Sequence, residues 1–362
     1  MISNFRMLLL VGLVASSATI SANPANPANP ANPANPANPA YQAPLVNESL
    51  LLDIAIGDKI FIVGERGHIL TGTTQQNLTQ VSVPTRTTLT AVTIVGANAW
   101  AVGHDASILH SSDGGHSWQL QLSMPELDRP FLDVLFKDKK SGVAVGAYGL
   151  FYRTNDGGAT WQKELHASVL PKDDIDYLDS IKDEPAFYEE ELSFILPHFN
   201  RLSYANGKLY MAGEAGMLAV SKDFGRSWLR FDIAYKGSFF DVQETQSGQL
   251  IAVGLRGNIF LANDDSQEWN KLQTCVTTSL NSIIDGKNNN IYITGNNGVL
   301  LSLDKTKVSV KEYYPANDEG CSIHISINKL ENDLSDSILN GLVINDAMLA
   351  VTASGIKQIE LK

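Results

Sequence analysis

The sequence predicts an all-β fold, a seven-bladed β-propeller built from four-stranded antiparallel blades. A turn of the type Val-Gly-x-x-Gly recurs along the 362 residues, with steps of 39, 43, 67, 41, 41 and 57 residues between copies. A hairpin of the type Ser/Thr-x-Asp-x-Gly-x-x-Trp, an Asp box, follows several of these turns. Sheet modules that repeat at about 40–50 residues are typical of propellers. The turns lie at residues 64–67, 103–106, 146–149, 213–216, 254–257, 295–298 and 352–355.

Each module predicts a strand, a tight turn, a second strand and the Asp-box reversal. In the second module, Ser107 to Ser111 alternates as a half-buried strand does. Asp113 can fold its carboxylate back onto backbone N–H groups, and Trp118 can cover the hairpin. Good copies of the box contain Asp113 and Trp118, Asp156 and Trp161, and Asp223 and Trp228; residues 262–269 and 302–306 are degenerate copies.

The N-terminal residues are expected to direct export. Met1 to Ala22 contains Arg6, then the apolar run Met7 to Ala15, then small residues, which is the pattern of a signal peptide. An uncleaved anchor helix is the alternative. Residues 23–40 repeat Ala-Asn-Pro and predict an extended linker that does not join a sheet. A periplasmic or secreted protein, with no membrane span after cleavage, is therefore expected.

The propeller is predicted to span residues 41–362. The last repeat, Gly341 to Leu361, offers about three strands, so we hypothesise that Gln42 to Val46, or residues shortly after, complete its blade. The expected blades are Leu51–Val83, Leu89–Leu122, Phe131–Glu164, Leu202–Phe231, Asp241–Leu272, Leu280–Tyr314 and Gly341–Leu361.

Two insertions interrupt the period. The first, residues 166–200, is strongly acidic and has apolar residues at helical spacing, with a break at Pro185. It is expected to form an amphipathic lid on one mouth of the ring, acting either as a solvated face or as an interaction surface. A weaker insertion is expected at Asn317 to Asn340.

Composition limits the partners. The net charge of −12 argues against nucleic acid, whose phosphates require a basic surface. A single closed domain, and a monomer, is expected. The two cysteines, Cys275 and Cys321, follow successive modules and either form a disulfide or remain as two thiols.

The turns are expected to gather polar side chains around the mouth of the central channel, where propellers build binding sites. Arg66 and Arg256 occupy equivalent module positions and could hold a carboxylate of a ligand or of an acidic partner. Alternatively they pair with Glu65, Glu214 or the acidic insertion. The candidate binding residues are Glu65, Arg66, His104, Asp105, Tyr148, Glu214, Arg256 and Asn297.

No catalytic signature is evident in the sequence. The histidines lack metal-ligand spacing, and neither a nucleophile elbow nor a phosphate loop is present. No cofactor or metal is therefore expected. The Asp-box carboxylates suggest a glycosidase, which uses two carboxylates. They are, however, expected to be occupied by their own turns, on the face away from the mouth.

The Asp boxes and Val-Gly turns together resemble the photosystem II stability/assembly factor-like propeller family. Residues 212–216, 236–240 and 254–260 resemble its heterotrophic bacterial members, which tend to be exported and to accompany RND-type exporters. In photosynthetic members the propeller is a non-enzymatic chaperone that uses an arginine patch, and Arg66 and Arg256 match such positions. The rest of a basic patch is thin here.

Two functions follow. The first is a periplasmic, non-catalytic propeller that binds a protein of a membrane complex through the face bearing Arg66, Arg256 and the acidic insertion. The second is a glycoside hydrolase, sialidase-like, or a sugar-binding propeller. A sialidase is expected to place three arginines around its substrate carboxylate, and the sequence supplies two. Two carboxylates in an open groove would favour hydrolysis, whereas a mouth capped by residues 166–200 would favour partner binding.

Overall fold

The computed structural model describes residues 39–361 except 246–247, 264–267, 287–289 and 305–320, together with the backbone at Asn29–Pro30. Its strands form seven antiparallel sheets. The prediction of a seven-bladed β-propeller with four-stranded blades is confirmed, with one three-stranded blade among the described residues. The predicted signal peptide, Met1 to Ala22, lies outside the described residues. No helix in the described part of the chain is long and apolar enough to cross a membrane.

The strands follow the chain blade by blade, from the channel outward. After β1 (Asn29–Pro30), blade one contains β2 (Leu51–Ile56), β3 (Ile60–Gly64), β4 (Ile69–Gly72) and β5 (Thr79–Gln80); blade two contains β6 (Leu89–Val95), β7 (Asn98–Gly103), β8 (Ser107–Ser111) and β9 (Gln119–Leu122). Blade three contains β10 (Phe131–Phe136), β11 (Gly142–Gly146), β12 (Phe151–Thr154) and β13 (Thr160–Lys163); blade four contains β14 (Phe199–Ala205), β15 (Lys208–Gly213), β16 (Leu218–Ser221) and β17 (Leu229–Arg230). Blade five contains β18 (Phe239–Glu244), β19 (Leu250–Gly254), β20 (Ile259–Ala262) and β21 (Asn270–Leu272); blade six contains β22 (Leu280–Asp285), β23 (Asn290–Gly295), β24 (Leu300–Asp304) and β25 (Ile327–Lys329); blade seven contains β26 (Ile338–Ile344), β27 (Ala347–Thr352) and β28 (Gly355–Glu360).

The first strand of every blade lies at the centre of the ring. Each touches the first strand of the next blade, and β26 of blade seven touches β2 of blade one, which closes the circle. The second strands are almost wholly buried, since each lies between two neighbouring blades. Burial of these apolar faces between blades is the main stabilising contribution in such a ring.

The closure of blade seven differs from the hypothesis. The blade has three strands, as the sequence suggested, but Gln42 to Val46 do not add a fourth. These residues form a turn, and a 3-10 helix at Val46–Glu48 lies beside β28, with the Val46 side chain in the apolar cluster between blades one and seven. Upstream, the Ala40 N–H bonds to Val83 O in blade one. The N-terminal segment therefore packs across the junction instead of pairing with it.

The expectation that the Ala-Asn-Pro linker joins no sheet is also wrong at one point. Asn29–Pro30 pairs antiparallel with Trp161 and Thr160, at the outer edge of blade three. Proline has no N–H to donate, but an edge strand bonds on one side only and tolerates it. The other residues before Pro39 lie outside the described residues.

Several blade boundaries shift from the predicted ones. Blades four, five and seven begin two or three residues earlier, at Phe199, Phe239 and Ile338, because these buried apolar residues pair with the second strand ahead of a β-bulge. The outer strand of blade six, β25, lies in the segment predicted as the weaker insertion, 317–340. That strand lacks the Asp box and tryptophan that mark the outer strands of blades two, three and four.

The acidic insertion contains helices α1 (Lys172–Ser180) and α2 (Pro185–Ile195). Pro185 begins α2, at a position where its missing N–H costs no hydrogen bond. The helices bury Leu178 and Leu192 against blades three and four. Of residues 166–200 only Asn200, which already belongs to β14, lines the channel, so the two helices cover the junction between these two blades and are not a lid over the channel.

A disulfide joins Cys275 and Cys321, with Cα atoms 5.6 Å apart. Cys275 lies in the crossover from blade five to blade six, and Cys321 precedes β25. The bond therefore ties the loop before the outer strand of blade six to the start of that blade. Near it, the His324 N–H bonds to Gln273 O.

Candidate functional site: the turn face and the channel

The Asp boxes are structural hairpins. The Ser117 N–H and hydroxyl donate to the two oxygens of Asp113, at 2.9 and 2.6 Å, while the buried Ser111 hydroxyl donates to Asp113 and accepts from the Gly115 N–H. These hydrogen bonds hold the pKa of Asp113 far below its usual range. The boxes at Asp156 and Asp223 repeat the pattern. The tryptophans Trp118, Trp161 and Trp228 are buried.

The opposite end of the ring carries the seven Val-Gly turns and the blade-to-blade crossovers; we call it the turn face. In five turns the residue before the final glycine has positive φ: Arg66, Tyr148, Ala215, Arg256 and Asn297 at 53–57°. The following glycine lies on a crossover, where an added Cβ would strike backbone or side-chain atoms. The left-handed conformation costs about 1 kcal/mol or more in a non-glycine residue, and the packed glycine holds it in place. These five side chains therefore project into solvent from rigid turns.

The predicted binding residues lie on the turn face, but none lines the channel. Each turn follows the second strand of its blade, one strand away from the centre. Arg66 and Arg256 lie in blades one and five, so they are not neighbours in the ring. Arg66 is 71% exposed, and its Nε lies 3.6 Å from Oε2 of the half-buried Glu65, an ion pair open to solvent that contributes little. The other members are exposed or half-buried: His104, Asp105, Tyr148, Glu214, Arg256 and Asn297.

Two of the predicted residues meet through a histidine that the sequence analysis did not single out. The His198 ring packs edge-on against Tyr148, with centroids 4.4 Å apart, and its Nδ1 lies 3.6 Å from Glu214. The Arg129 guanidinium lies over the Tyr148 ring, 5.2 Å from its centroid. The junction of blades three and four therefore carries a mixed aromatic and charged patch beside the insertion.

The channel itself is lined by residues at fixed positions of the first strands. All seven first strands bulge between their first and third residues. The second residues surround the mouth at the turn face, and several third residues form the constriction below it, beside a cavity of about 230 Å³. In blade order the third residues are Asp53, Ala91, Asp133, Arg201, Asp241, Ser282 and Asn340.

The carboxylates of the constriction connect neighbouring blades. Asp53 accepts from the Val92 N–H of blade two at 2.9 Å. In the same way Asp133 accepts from Leu202 of blade four, and Asp241 from Ile283 of blade six, at 2.7 and 2.8 Å. Blades one, three and five thus use an aspartate to hold the next blade.

The even blades connect forward with the second residue instead. Thr90 donates to Phe131 O at 2.7 Å, Asn200 to Phe239 O at 2.7 Å, and Asn281 to Ile338 O at 3.0 Å. Because the number of blades is odd, the alternation fails where the ring closes: blades seven and one meet there, and both carry the connecting side chain at the third residue. There Asn340 replaces aspartate and donates to Asp53 at 2.6 Å, which avoids opposing two carboxylates.

Arg201 lies among the three carboxylates. Its Nη1 is 3.5 Å from Asp53 and 3.9 Å from Asp133. Burial raises the pKa of Asp133 to about 7, against the opposing charge of Arg201, and raises that of Asp241 to about 6. Burial lowers the pKa of Arg201, but the charges of Asp53, Asp133 and Asp241 outweigh it, so the guanidinium remains protonated. Among the described residues no group of His, Cys, Asp and Glu could hold a metal ion.

Comparison with known proteins supports the fold and the resemblance. Residues 119–238 match the family model described as photosynthesis system II assembly factor YCF48. The predicted resemblance to that family is confirmed. No curated protein matches the sequence.

Solved structures agree over most of the chain. "YCF48 bound to D1 peptide" has a TM-score of 0.62 at 16% identity, covering 92% of this chain and 99% of that one. YCF48 from Cyanidioschyzon merolae has a TM-score of 0.63 at 15% identity, with coverages of 88% and 98%. BamB from Moraxella catarrhalis has a TM-score of 0.54 at 16% identity, with coverages of 86% and 85%. At these identities the likeness shows the propeller fold.

Proposed function

We propose that this chain is an exported, non-catalytic propeller that binds a protein component of a membrane complex through its turn face. The observation that carries the proposal is the row of left-handed turns, which present Arg66, Tyr148 and Arg256 on rigid supports. Because the backbone of these turns is already fixed before binding, little backbone entropy is lost when a partner docks. The position of the acidic insertion on the same face enlarges that surface.

The relatives support a protein partner. One solved structure of similar fold is YCF48 bound to a D1 peptide, and another is BamB. Carried over to this chain, this favours a role in assembly or as a scaffold. The sequence features of an export signal add the periplasm as its location, and the resemblance to exported bacterial members adds an RND-type exporter as the candidate complex.

The separation of Arg66 and Arg256 indicates a large partner. Because they lie on non-adjacent blades, one small carboxylate cannot contact both. A protein with acidic groups at two places can, and each exposed arginine then contributes mainly to specificity and to the association rate.

The experiment is affinity capture from solubilised membranes of the source cells. The variant Arg66→Ala/Arg256→Ala should retain the wild-type Tm but lose the membrane protein that wild type captures. The matched control, Lys139→Ala/Arg226→Ala, removes two exposed cations from the Asp-box end and should capture it normally. Equal capture by all three proteins would refute the arginine face.

A glycoside hydrolase remains the second candidate because two carboxylates, Asp53 and Asp133, lie within 4 Å of one Arg201 nitrogen. Against it, both accept hydrogen bonds from backbone N–H groups of neighbouring blades and are buried. Hydrolysis of aryl glycosides by wild type, abolished in Asp133→Asn, would favour this candidate. Equal background rates in both proteins would remove it.

A further inference from the structure

The acidic insertion carries a second exposed feature. Among the phenylalanines that the structure describes, only Phe187 and Phe194 are exposed, at 41% and 66%. They are seven residues apart on α2 and therefore share one side of the helix. Tyr177 of α1, 42% exposed, donates its hydroxyl to Glu191 at 2.8 Å, and Glu191 lies one helical turn from both phenylalanines. We call Tyr177, Phe187 and Phe194, with Glu190 and Glu191, the aromatic strip.

The charge around the strip is strongly negative. Residues 166–200 contain nine Asp and Glu against two Lys, a net charge of −7 out of −12 for the whole chain. One of those lysines, Lys172, is already paired with Asp176 at 2.8 Å. A nucleic acid or an anionic membrane would be repelled by this surface. Aromatic faces next to carboxylates instead favour lysine and arginine, whose stems pack on rings and whose charges reach the acids.

The apolar side of the helices is already used. Leu178 and Leu192 are buried against the propeller, so the strip is a separate surface and not the reverse side of a loosely packed helix. Exposed aromatics in a contiguous arrangement are a common mark of an interaction site.

We propose that the aromatic strip binds a basic, amphipathic protein segment. The inference rests on the proposed function, because it states which kind of segment of the same protein partner contacts one part of the turn face. The partner segment places apolar side chains against Phe187 and Phe194 and Lys or Arg beside Glu190. It is thus complementary to the strip, while other parts of the partner meet the arginines.

The test uses two labelled 14-residue peptides of the same helical pattern, one of Lys and Leu and one of Glu and Leu, with fluorescence anisotropy on the full chain. The Lys/Leu peptide should bind wild type at least 10-fold more tightly than Phe187→Ser/Phe194→Ser, and tighter than Glu190→Lys. The control Leu45→Ser/Ile56→Ser, which removes two apolar side chains of comparable exposure elsewhere, should bind like wild type. The Glu/Leu peptide should not bind.

Equal affinities for wild type and the phenylalanine variant, with unchanged Tm, would overturn the proposal. So would flotation of wild type, but not of that variant, with phosphatidylglycerol vesicles, because the occupant would then be a lipid surface. Arg66→Ala/Arg256→Ala should leave peptide binding unchanged. If the arginine variant loses partner capture and the phenylalanine variant does not, the proposed function is upheld and the role of the aromatic strip is refuted. The two failures are therefore distinguishable.

Discussion

At the scale of single residues, the buried cation Arg201 holds the channel together. It is the charge that offsets Asp53, Asp133 and Asp241, each of which also joins two blades. Removing one partner from a buried ionic cluster leaves the others uncompensated. The cluster is therefore a point at which one substitution affects several blades at once.

The variant Arg201→Met should lower the free energy of unfolding by about 3–5 kcal/mol at pH 7.5, because the carboxylates lose their counter-charge. At pH 5 the loss should be smaller, since Asp133 and Asp241 then bind protons. Urea denaturation at the two pH values measures both. A loss of equal size at both pH values would show that the guanidinium acts by packing alone.

The wild-type protein should become less stable as pH rises from 5 to 8. The pKa of Asp133 is raised to about 7 and that of Asp241 to about 6, so the folded state binds more protons than the unfolded chain over this range. The stabilising contribution is complete below about pH 4, the unfolded pKa, and is lost through pH 6–7. Asp133→Asn, which cannot titrate at this position, should flatten the profile, and an unchanged slope would contradict the assignment.

In the Asp boxes the buried hydroxyl matters more than the exposed one. Ser221→Ala leaves the buried Gly225 N–H without its acceptor and should cost about 1–3 kcal/mol. Ser227→Ala, at an exposed site of the same box, should cost less. Urea denaturation compares the two variants. A larger loss of unfolding free energy for Ser227→Ala would contradict the greater contribution of the buried hydroxyl.

At the scale of elements, the turns and Asp boxes were readable because their chemistry is local. A glycine at positive φ, or an aspartate bonded to residues two to four positions away, leaves a signature within eight residues. The completion of blade seven was not readable, because Val46 packs against residues about 300 positions away. The lid was predicted from length and charge, whereas the position of α2 is set by which apolar side chains, such as Leu192, fit between blades three and four.

The disulfide ties the outer part of blade six to its start. Closing a loop with a sequence separation of 46 should stabilise the fold by about 4 kcal/mol through the unfolded state. Cys275→Ser/Cys321→Ser should lower Tm accordingly. Thiol titration of denatured, unreduced wild type should find no reactive thiol, and two thiols would disprove the bond.

At the scale of the whole molecule, the ring is held by an alternation between odd and even blades. Sequence analysis missed it because each channel residue lies in a different repeat and looks like an ordinary strand residue. A weak signal was present: Asp53, Asp133, Asp241 and Asn340 lie 11, 13, 13 and 12 residues before the first residue of their turns, but the varying hairpin between the first two strands keeps them out of one column. Which of these residues face Arg201 is decided only when the ring closes, so it cannot be predicted from the sequence of any single repeat.

The contact between Asn340 of blade seven and Asp53 of blade one can be tested by substituting Asn340. Asn340→Asp places a second carboxylate against Asp53 and should cost about 2–4 kcal/mol at pH 7.5, with partial recovery at pH 5. Asn340→Ala loses the hydrogen bond without adding charge and should cost less at pH 7.5. If the aspartate variant is as stable as wild type at both pH values, the junction does not depend on this contact.

We expect the turn face to be the surface that binds the partner and the Asp-box end to be structural. Amide hydrogen exchange of the protein, free and bound to the partner that it captures from membranes, tests this most directly. Binding should add protection in residues 64–67, 146–149, 254–257 and 185–195. Protection confined to the Asp boxes, residues 111–118, 154–161 and 221–228, would contradict it.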